Sequence, residues 1–318
     1  MGGGTGTSTL LSGLKKYNVN LSVAVSTWDD GGSSGRLRKE FGVIPPGDIR
    51  QCLLALSNAP EDLKQLVGFR FAKGELSGHV VGNIMLSALE FLYGNVEVAI
   101  EKFANILQST GQVFPVTLKP TLLSAKYANG RVVVGEHNID EPSLNFESKI
   151  KSIQLKSNLS VNRKVLEAIT KADIIIFGPG DLFTSTLPNL LVKGVKENLK
   201  KSKAQKILVT NIMTKHGQTN GFGTKDFVDE FKKYAGFYPN TVIVNTQKPE
   251  ATDLKRYKTE KAEFVEPEVL LLKQTPVKVV LGDLIAFNKH KKQRGDNLKR
   301  SFIRHNSEKL AKIIISTI

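Results

Sequence analysis

One cysteine occurs in the 318 residues, so the chain cannot close an internal disulfide. Cys52 falls in a helical pattern with Ile49, Leu53, Leu54 and Leu56 and reads as a small core residue. Cysteine this scarce fits a cytoplasmic location. No run approaches the roughly 18 apolar residues of a membrane span. No basic-then-apolar leader opens the chain. Neither a membrane partner nor secretion is therefore expected. Three motifs are also missing: a phosphate loop ending in Lys-Ser/Thr, a Cys/His cluster at metal-ligand spacing, and a GxSxG elbow. Kinase, zinc-enzyme and hydrolase templates lose their support with them.

Acidic residues are in the minority. The 45 basic and 30 acidic side chains leave a net charge of +15. Nucleic acid, small anions or a lysine-rich composition could each account for that balance. The lysines are dispersed, which favours composition. The densest stretch, Lys289 to His305, includes Lys291, Lys292, Arg294, Lys299, Arg300 and Arg304. Phe302 is its one stacking aromatic and no RNA motif accompanies it, so no specific nucleic-acid partner is expected.

What is present is an alternation of strand and helix patterns. Strands are expected at Leu21–Val25, Val113–Val116, Leu122–Tyr127, Val132–Val134, Ile150–Leu155, Asp173–Phe177, Lys206–Thr210, Thr241–Asn245 and Val277–Gly282. Helices are expected at Ile49–Leu56, Val80–Phe91, Val96–Leu107, Val161–Thr170, Leu190–Leu199 and Lys225–Tyr234, with a closing helix capped by Ser307. Asn129-Gly130 suits a tight hairpin turn. The pattern implies an α/β, Rossmann-like, doubly wound and mostly parallel sheet, with a small antiparallel insertion near residues 111–155. No repeat or low-complexity linker divides residues 1–318, so a single nucleotide-binding domain is expected.

The first thirty-five residues hold two glycine-rich loops around one strand. Gly2, Gly3, Gly4, Thr5, Gly6 and Thr7 form the first. Asp29, Asp30, Gly31, Gly32, Ser33 and Ser34, followed by Arg36, form the second. Glycines let backbone N–H groups approach a phosphate, and a helix start behind them adds positive potential. An acidic pair after the next strand can accept hydrogen bonds from ribose or hold a metal. Such a loop normally follows a strand, and here only Met1 precedes it. Either a first strand is absent or the loop is tied down otherwise. Two further loops, Gly178-Pro179-Gly180-Asp181 and Asn211 to Thr214, also follow strands. In a parallel sheet all four would meet in one crevice. Thr184 and Ser185 stand just beyond Gly180. Asp48 reads equally well as a ligand or as a helix cap. His79 and Asn83, four apart, share a helix face, and His79 reads equally well as structural.

The strings GGGTGTSTLLSGLK, DDGGSSGRLRKEFG, PPGDIRQCLLAL, FRFAKGELSGHVVGNIMLSAL, GPGDLFTSTLPNLLVKG and NIMTKHGQTNGF resemble the gluconeogenesis factor family of bacteria. That family is related to the 2-phospho-L-lactate transferases of deazaflavin cofactor synthesis. The resemblance implies a crevice for a nucleotide or nucleotide-sugar, notably UDP-N-acetylglucosamine. It implies roles in carbon-source adaptation, cell-wall precursor control and cell shape, with a protein partner there and a homo-oligomer as further expectations. The transferase branch moves a phospholactyl group from a nucleotide-activated donor with a divalent metal, magnesium being the one expected here. Carried onto this chain, Gly2 to Thr7 would hold phosphate, and Asp30 and Asp48 a metal or sugar. His79, Asn83, Gly180, Thr184, Ser185, Asn211 and Thr214 would line the cleft. Tyr257 would stack on the base, and Arg304 would pair with a phosphate. Several positions depart from the family pattern. Trp28 replaces a small residue, Asp181 a serine, and Gln218 a glutamate, while Val80-Val81 replaces a smaller or more polar pair.

Overall fold

A computed structural model describes residues 1–143, 145–286 and 302–317. The basic residues Lys289, Lys291, Lys292, Arg294, Lys299 and Arg300 lie outside the described residues. In chain order the elements are α1 (Gly4–Leu14), β1 (Ser22–Val25), α2 (Gly32–Phe41), α3 (Pro46–Leu56), α4 (Glu61–Gly68), α5 (Val81–Tyr93) and α6 (Val96–Ile106). Then come β2 (Gln112–Pro115), β3 (Leu123–Tyr127), β4 (Val132–Val134), α7 (Glu136–Asp140), β5 (Ile150–Leu155), α8 (Arg163–Lys171) and β6 (Ile174–Phe177). The remainder is α9 (Val195–Lys201), β7 (Gln205–Val209), α10 (Thr224–Ala235), β8 (Thr241–Asn245), α11 (Ala251–Thr259), α12 (Val269–Leu272), β9 (Lys278–Gly282) and α13 (Ser307–Ile315).

Two parallel ladders carry the fold: β1 beside β2, and β6-β7-β8-β9. The backbone of Met1 and Gly2 bridges them. Gly2 N donates to Ala24 O and Ser26 N to Gly2 O, while the Met1 amine donates to Ile176 O and Gly178 N to Met1 O. The glycine loop is thus tied between β1 and β6 by a single rung, at the place where the sequence pattern asks for a first strand.

The central strands are buried on both faces, which is why they read as unbroken apolar runs. Side chains alternate along them. Leu208, Val242 and Val244 face one core with Phe177, Phe227 and Phe231. Ile207, Val209 and Ile243 face the opposite core with Leu10, Leu14, Leu310 and Ile314, so α1 and α13 cover that side. A third core packs α3, α5 and α6 against β1 and β2 through Ile49, Leu53, Phe103 and Val113. The fold is therefore Rossmann-like α/β with a small antiparallel sheet, β4-β3-β5.

Four details differ from the sequence reading. The antiparallel insertion begins at β3, because β2 pairs in parallel with β1. The helix expected over Leu190–Leu199 is broken: a 3-10 turn covers Leu187–Leu191, and α9 starts only after Gly194, whose φ of +98° cannot continue a helix. The cap of α13 is Asn306, not Ser307; its carboxamide oxygen accepts from Glu308 N and Lys309 N. Helix α2 was not anticipated, since its segment is polar and contains Gly35.

Candidate functional site

The strand ends and helix starts meet in a cavity of about 260 Å³. Glycines allow the loops to touch. A Cβ on Gly6 would stand 1.5 Å from Pro179 O, so α1 begins in backbone contact with the Gly178–Gly180 loop. A Cβ on Gly3 would collide with the Asp48 carboxylate and Ser26 Oγ. Helix α1 starts at Gly3 and α2 at Gly31, and neither cap residue has a side chain to occupy the first-turn N–H groups. Helix starts of this kind carry positive potential, which at α1 is partly offset by the Asp48 carboxylate that accepts Gly4 N.

The third wall is one wide helical turn, Leu182–Thr186. Its carbonyls are occupied from behind. Trp28 Nε1 donates to Thr184 O at 2.6 Å, and Asn189 Nδ2 donates to Ser185 O and Thr186 O. Trp28 is fully buried and braces the turn from behind.

The structure brings most of the expected residues to the cleft: Gly3, Gly4, Thr5, Gly6, Asp29, Gly31, Ser33, Ser34, Asp48, Asn83, Gly180, Asp181, Thr184, Ser185, Asn211, Thr214 and Arg304. Others stand behind it. Gly2 and Gly178 form the backbone rung around Met1. Thr7 Oγ1 donates to Gly3 O within α1. Gly32, at φ +48°, turns the chain into α2. Arg36 clasps Ser77 O on the outside. His79 Nδ1 lies 3.3 Å from Ser33 Oγ, which also receives Asn83 Nδ2 and Val80 N. With both of its lone pairs taken and its proton directed to His79, Ser33 is a structural pivot between α2 and α5. Burial, then the Arg36 charge, lowers the His79 pKa.

Two expectations change in detail. Asp30 turns out of the cleft, its Oδ1 accepting His137 N at 2.8 Å at the start of α7. The carboxylate facing Asp48 is Asp29, which also accepts Gly31 N. Adjacent residues in a turn point in different directions, and only the fold decides which enters the cleft. Asp48 Oδ1 accepts Gly4 N and its Oδ2 accepts Ser26 Oγ. Tyr257 is buried among Ile212, Met213 and Ile303, and its hydroxyl accepts Ile303 N. It backs the cleft wall rather than presenting a ring face to the cavity.

Residues unmarked by the sequence reading complete the site. Arg50 Nε donates to Asn83 Oδ1, and Arg70 Nη1 to Gly78 O. Lys215 Nζ bridges Asp140 Oδ2 at 2.7 Å and Asp181 Oδ2 at 2.9 Å. Burial alone would discharge this lysine; the two carboxylates outweigh it and raise its pKa. The added charge of Asp181 is therefore balanced locally. Burial also raises Asp181, to about 6, with Lys215 opposing and Asp140 adding to the rise. Asp29 is likewise raised to about 6, by burial and then by Asp48. Glu136, on α7, is raised well above the usual range by burial and its acidic neighbours. The sequence signal for this wall is modest: Glu136 and Asp140 are four apart and share a helix face, and Lys215 lies in the string NIMTKHGQ. Among the described residues, no three His, Cys, Asp or Glu side chains gather at metal-binding distance. Asp29 and Asp48 are a pair of half-buried carboxylates that repel one another.

This geometry is that of an α/β protein with a crevice at the strand ends, and comparison with known proteins gives the family. The model of 2-phospho-L-lactate transferase CofD matches residues 1–285, and the chain belongs to that family. Its relatives in it are named gluconeogenesis factors. One from Thermotoga maritima is 41% identical over 319 residues, covering 99% of this chain and 96% of that protein. One from Clostridium acetobutylicum is 40% identical over 320 residues, covering 100% of this chain and 68% of that protein. The Bacillus subtilis gluconeogenesis factor is 34% identical, covering 100% of this chain and 96% of its own. A crystal structure of a Bacillus halodurans protein superimposes with a TM-score of 0.90 at 36% identity, covering 99% of this chain and 97% of that one.

Proposed function

We propose that this chain is a cytoplasmic regulator that binds a nucleotide-sugar of the UDP-N-acetylglucosamine type in the cleft, acting in carbon metabolism, cell-wall precursor control and cell shape. The observation that carries the reading is the convergence of two helix starts with glycine caps, α1 and α2, with the Leu182–Thr186 turn on one cavity. N–H groups at helix starts suit a diphosphate. Arg50, Arg70 and Arg304 add cationic character to the lining. The hydroxyl-rich sugar would meet the Asp140–Lys215–Asp181 wall, where carboxylates accept from hydroxyls. A cell-wall or carbon-regulatory protein partner and a homo-oligomer belong to the same reading, as does a lack of specific nucleic-acid binding.

A second reading is a nucleotide-dependent transferase with a divalent metal. It is favoured by the family match and by the Asp29–Asp48 pair. Magnesium is typically held by one or two carboxylates plus phosphate oxygens. It would neutralise this pair and polarise the phosphate. Asp29 and Asp48 would hold it, with Ser26 and Gly4 orienting Asp48. Calorimetry with UDP-N-acetylglucosamine, with and without magnesium, tests both readings. Saturable binding without turnover supports the regulator. Magnesium-dependent consumption of the nucleotide on adding an acceptor supports the transferase. Lack of binding at millimolar concentration rejects both.

A further inference from the structure

Asp140, Lys215 and Asp181 form a charged corner of the cleft in which one carboxylate oxygen is unused. Asp140 ends α7, Asp181 follows Gly180, and Lys215 comes from the loop beyond β7. Lys215 Nζ donates to Asp140 Oδ2 at 2.7 Å and to Asp181 Oδ2 at 2.9 Å. Asp140 Oδ1 is also occupied, accepting Gln218 Nε2 at 3.0 Å and Thr184 Oγ1 at 3.4 Å. Asp181 is placed differently. Its backbone carbonyl accepts Ser185 N and Thr186 N and so opens the Leu182–Thr186 turn, but its side chain does not cap that turn. Among the described residues, Lys215 is the one N–H or O–H donor to its carboxylate. An ionised carboxylate offers about four lone-pair sites, so Asp181 Oδ1 is an acceptor with capacity to spare. The corner is open to a ligand. The side chains of Asp181, Lys215 and Asp140 keep 29%, 26% and 20% of their surface exposed, and all three line the cavity.

Two carboxylates around one ammonium leave this corner with a net negative charge. A sugar hydroxyl can donate to such a group, and hydrogen bonds to an ionised acceptor are stronger than those between neutral groups. A further carboxylate brought to the same corner meets like charge instead. Building on the nucleotide-sugar reading, we propose that Asp181 is a specificity residue of the sugar subsite: its Oδ1 accepts a hydrogen bond from a hydroxyl of a neutral sugar, and the charge of the Asp140–Lys215–Asp181 cluster turns away sugars that carry a carboxylate. Lys215 is a positioning residue here. Its ammonium holds both carboxylates and commits two of its three donors to them. It is therefore poorly placed to receive an anion from the ligand. The selection rests on an unfavourable contact with the wrong ligand as much as on a favourable one with the right ligand. It also runs against the charge of the whole molecule. A net charge of +15 favours the more anionic of two ligands, so a preference for the neutral sugar reports the local cluster.

The test compares UDP-glucose with UDP-glucuronic acid, which differ only in a hydroxymethyl group replaced by a carboxylate. Calorimetry is run at pH 8, above the value of about 6 near which Asp181 titrates. The unaltered chain should bind UDP-glucose at least tenfold more tightly than UDP-glucuronic acid. In Asp181→Asn, UDP-glucose affinity should fall a few-fold, UDP-glucuronic acid affinity should rise, and the two should come within about twofold. Asp181→Ser also removes the charge and repeats the comparison with a smaller side chain, should the amide disturb the loop. Equal affinities in the unaltered chain, or a preference that survives in both variants, overturn the role of Asp181. Tighter binding of UDP-glucuronic acid to the unaltered chain overturns it too, and makes Lys215 an anion receptor. UDP alone separates this inference from the reading beneath it. If UDP binds the unaltered chain and the two sugars are not told apart, only the role of Asp181 fails. If neither UDP nor either UDP-sugar binds, the nucleotide reading itself fails and takes this inference with it.

Discussion

Substituting Gly6 by alanine separates local propensity from tertiary contact. Gly6 lies inside α1, and its φ is not in the left-handed region. By propensity alone, alanine should stabilise this helix by about 1 kcal/mol. The structure reverses the sign. The new Cβ would stand 1.5 Å from Pro179 O and 2.6 Å from Pro179 C. Both are backbone atoms of the facing loop, so no flexible side chain can swing away. The α1 start and the Gly178–Gly180 loop must part by about 1.5–2 Å to reach ordinary contact, and such overpacking costs about 1–3 kcal/mol or more. The net effect should be a loss of up to about 2 kcal/mol, or up to roughly 3 °C in melting temperature at the usual unfolding entropy per residue. Because the displaced loop walls the cleft, ligand affinity should fall as well. Gly68→Ala is the matched control: it ends α4 with nothing within 4 Å of a Cβ and should be neutral or mildly stabilising. Thermal melts and urea titrations of both variants give the comparison. A Gly6→Ala protein that melts higher than the parent would refute the close loop contact on which the cleft is built.

Other substitutions probe the acidic walls and the caps. Asp29 is held near 6 in the fold against about 3.8 when free, so the folded state binds the extra proton and is destabilised as pH rises through that window. Asp29→Asn should add about 2–3 kcal/mol above pH 7 and nothing below about pH 4, as read by urea titration across pH. Lys215→Met leaves Asp140 and Asp181 without their shared cation; stability should drop by about 2–4 kcal/mol at pH 7, with the loss shrinking in acid as the carboxyls protonate. Asn306→Ala should cost about 1 kcal/mol through loss of the α13 cap, while Ser307→Ala should change stability by less than half of that in the same titration.

The strands were legible because burial on both faces writes them as dense Val and Ile runs. Ile150–Leu155 and Thr241–Asn245 are bounded as their patterns predict. Helix α2 was hidden because its apolar content is low and Leu37 is its one large buried side chain. The crevice was legible from glycine loops placed after strands, since a parallel sheet brings such loops together. Side-chain direction within a loop was not. Asp29 and Asp30 are adjacent, and a backbone turn sends one to Asp48 and the other to α7. Tyr257 carried a ring but no sign of which side of the wall it would pack on. Lys215 is read only when Asp140 and Asp181, distant in sequence, are known to flank it. The cap of α13 illustrates the smallest ambiguity: Asn306 and Ser307 are both good caps, and one residue of helix register chooses between them.

The central claim is that the two helix starts and the Leu182–Thr186 turn form a diphosphate seat. A crystal structure of the chain soaked with UDP-N-acetylglucosamine tests it most directly. The account predicts diphosphate density within hydrogen-bond reach of the Gly3–Gly6 and Gly31–Ser34 backbone, with Ser185 or Thr184 on its third side. Density for the nucleotide elsewhere on the surface, or an empty cleft at saturating ligand, would contradict it.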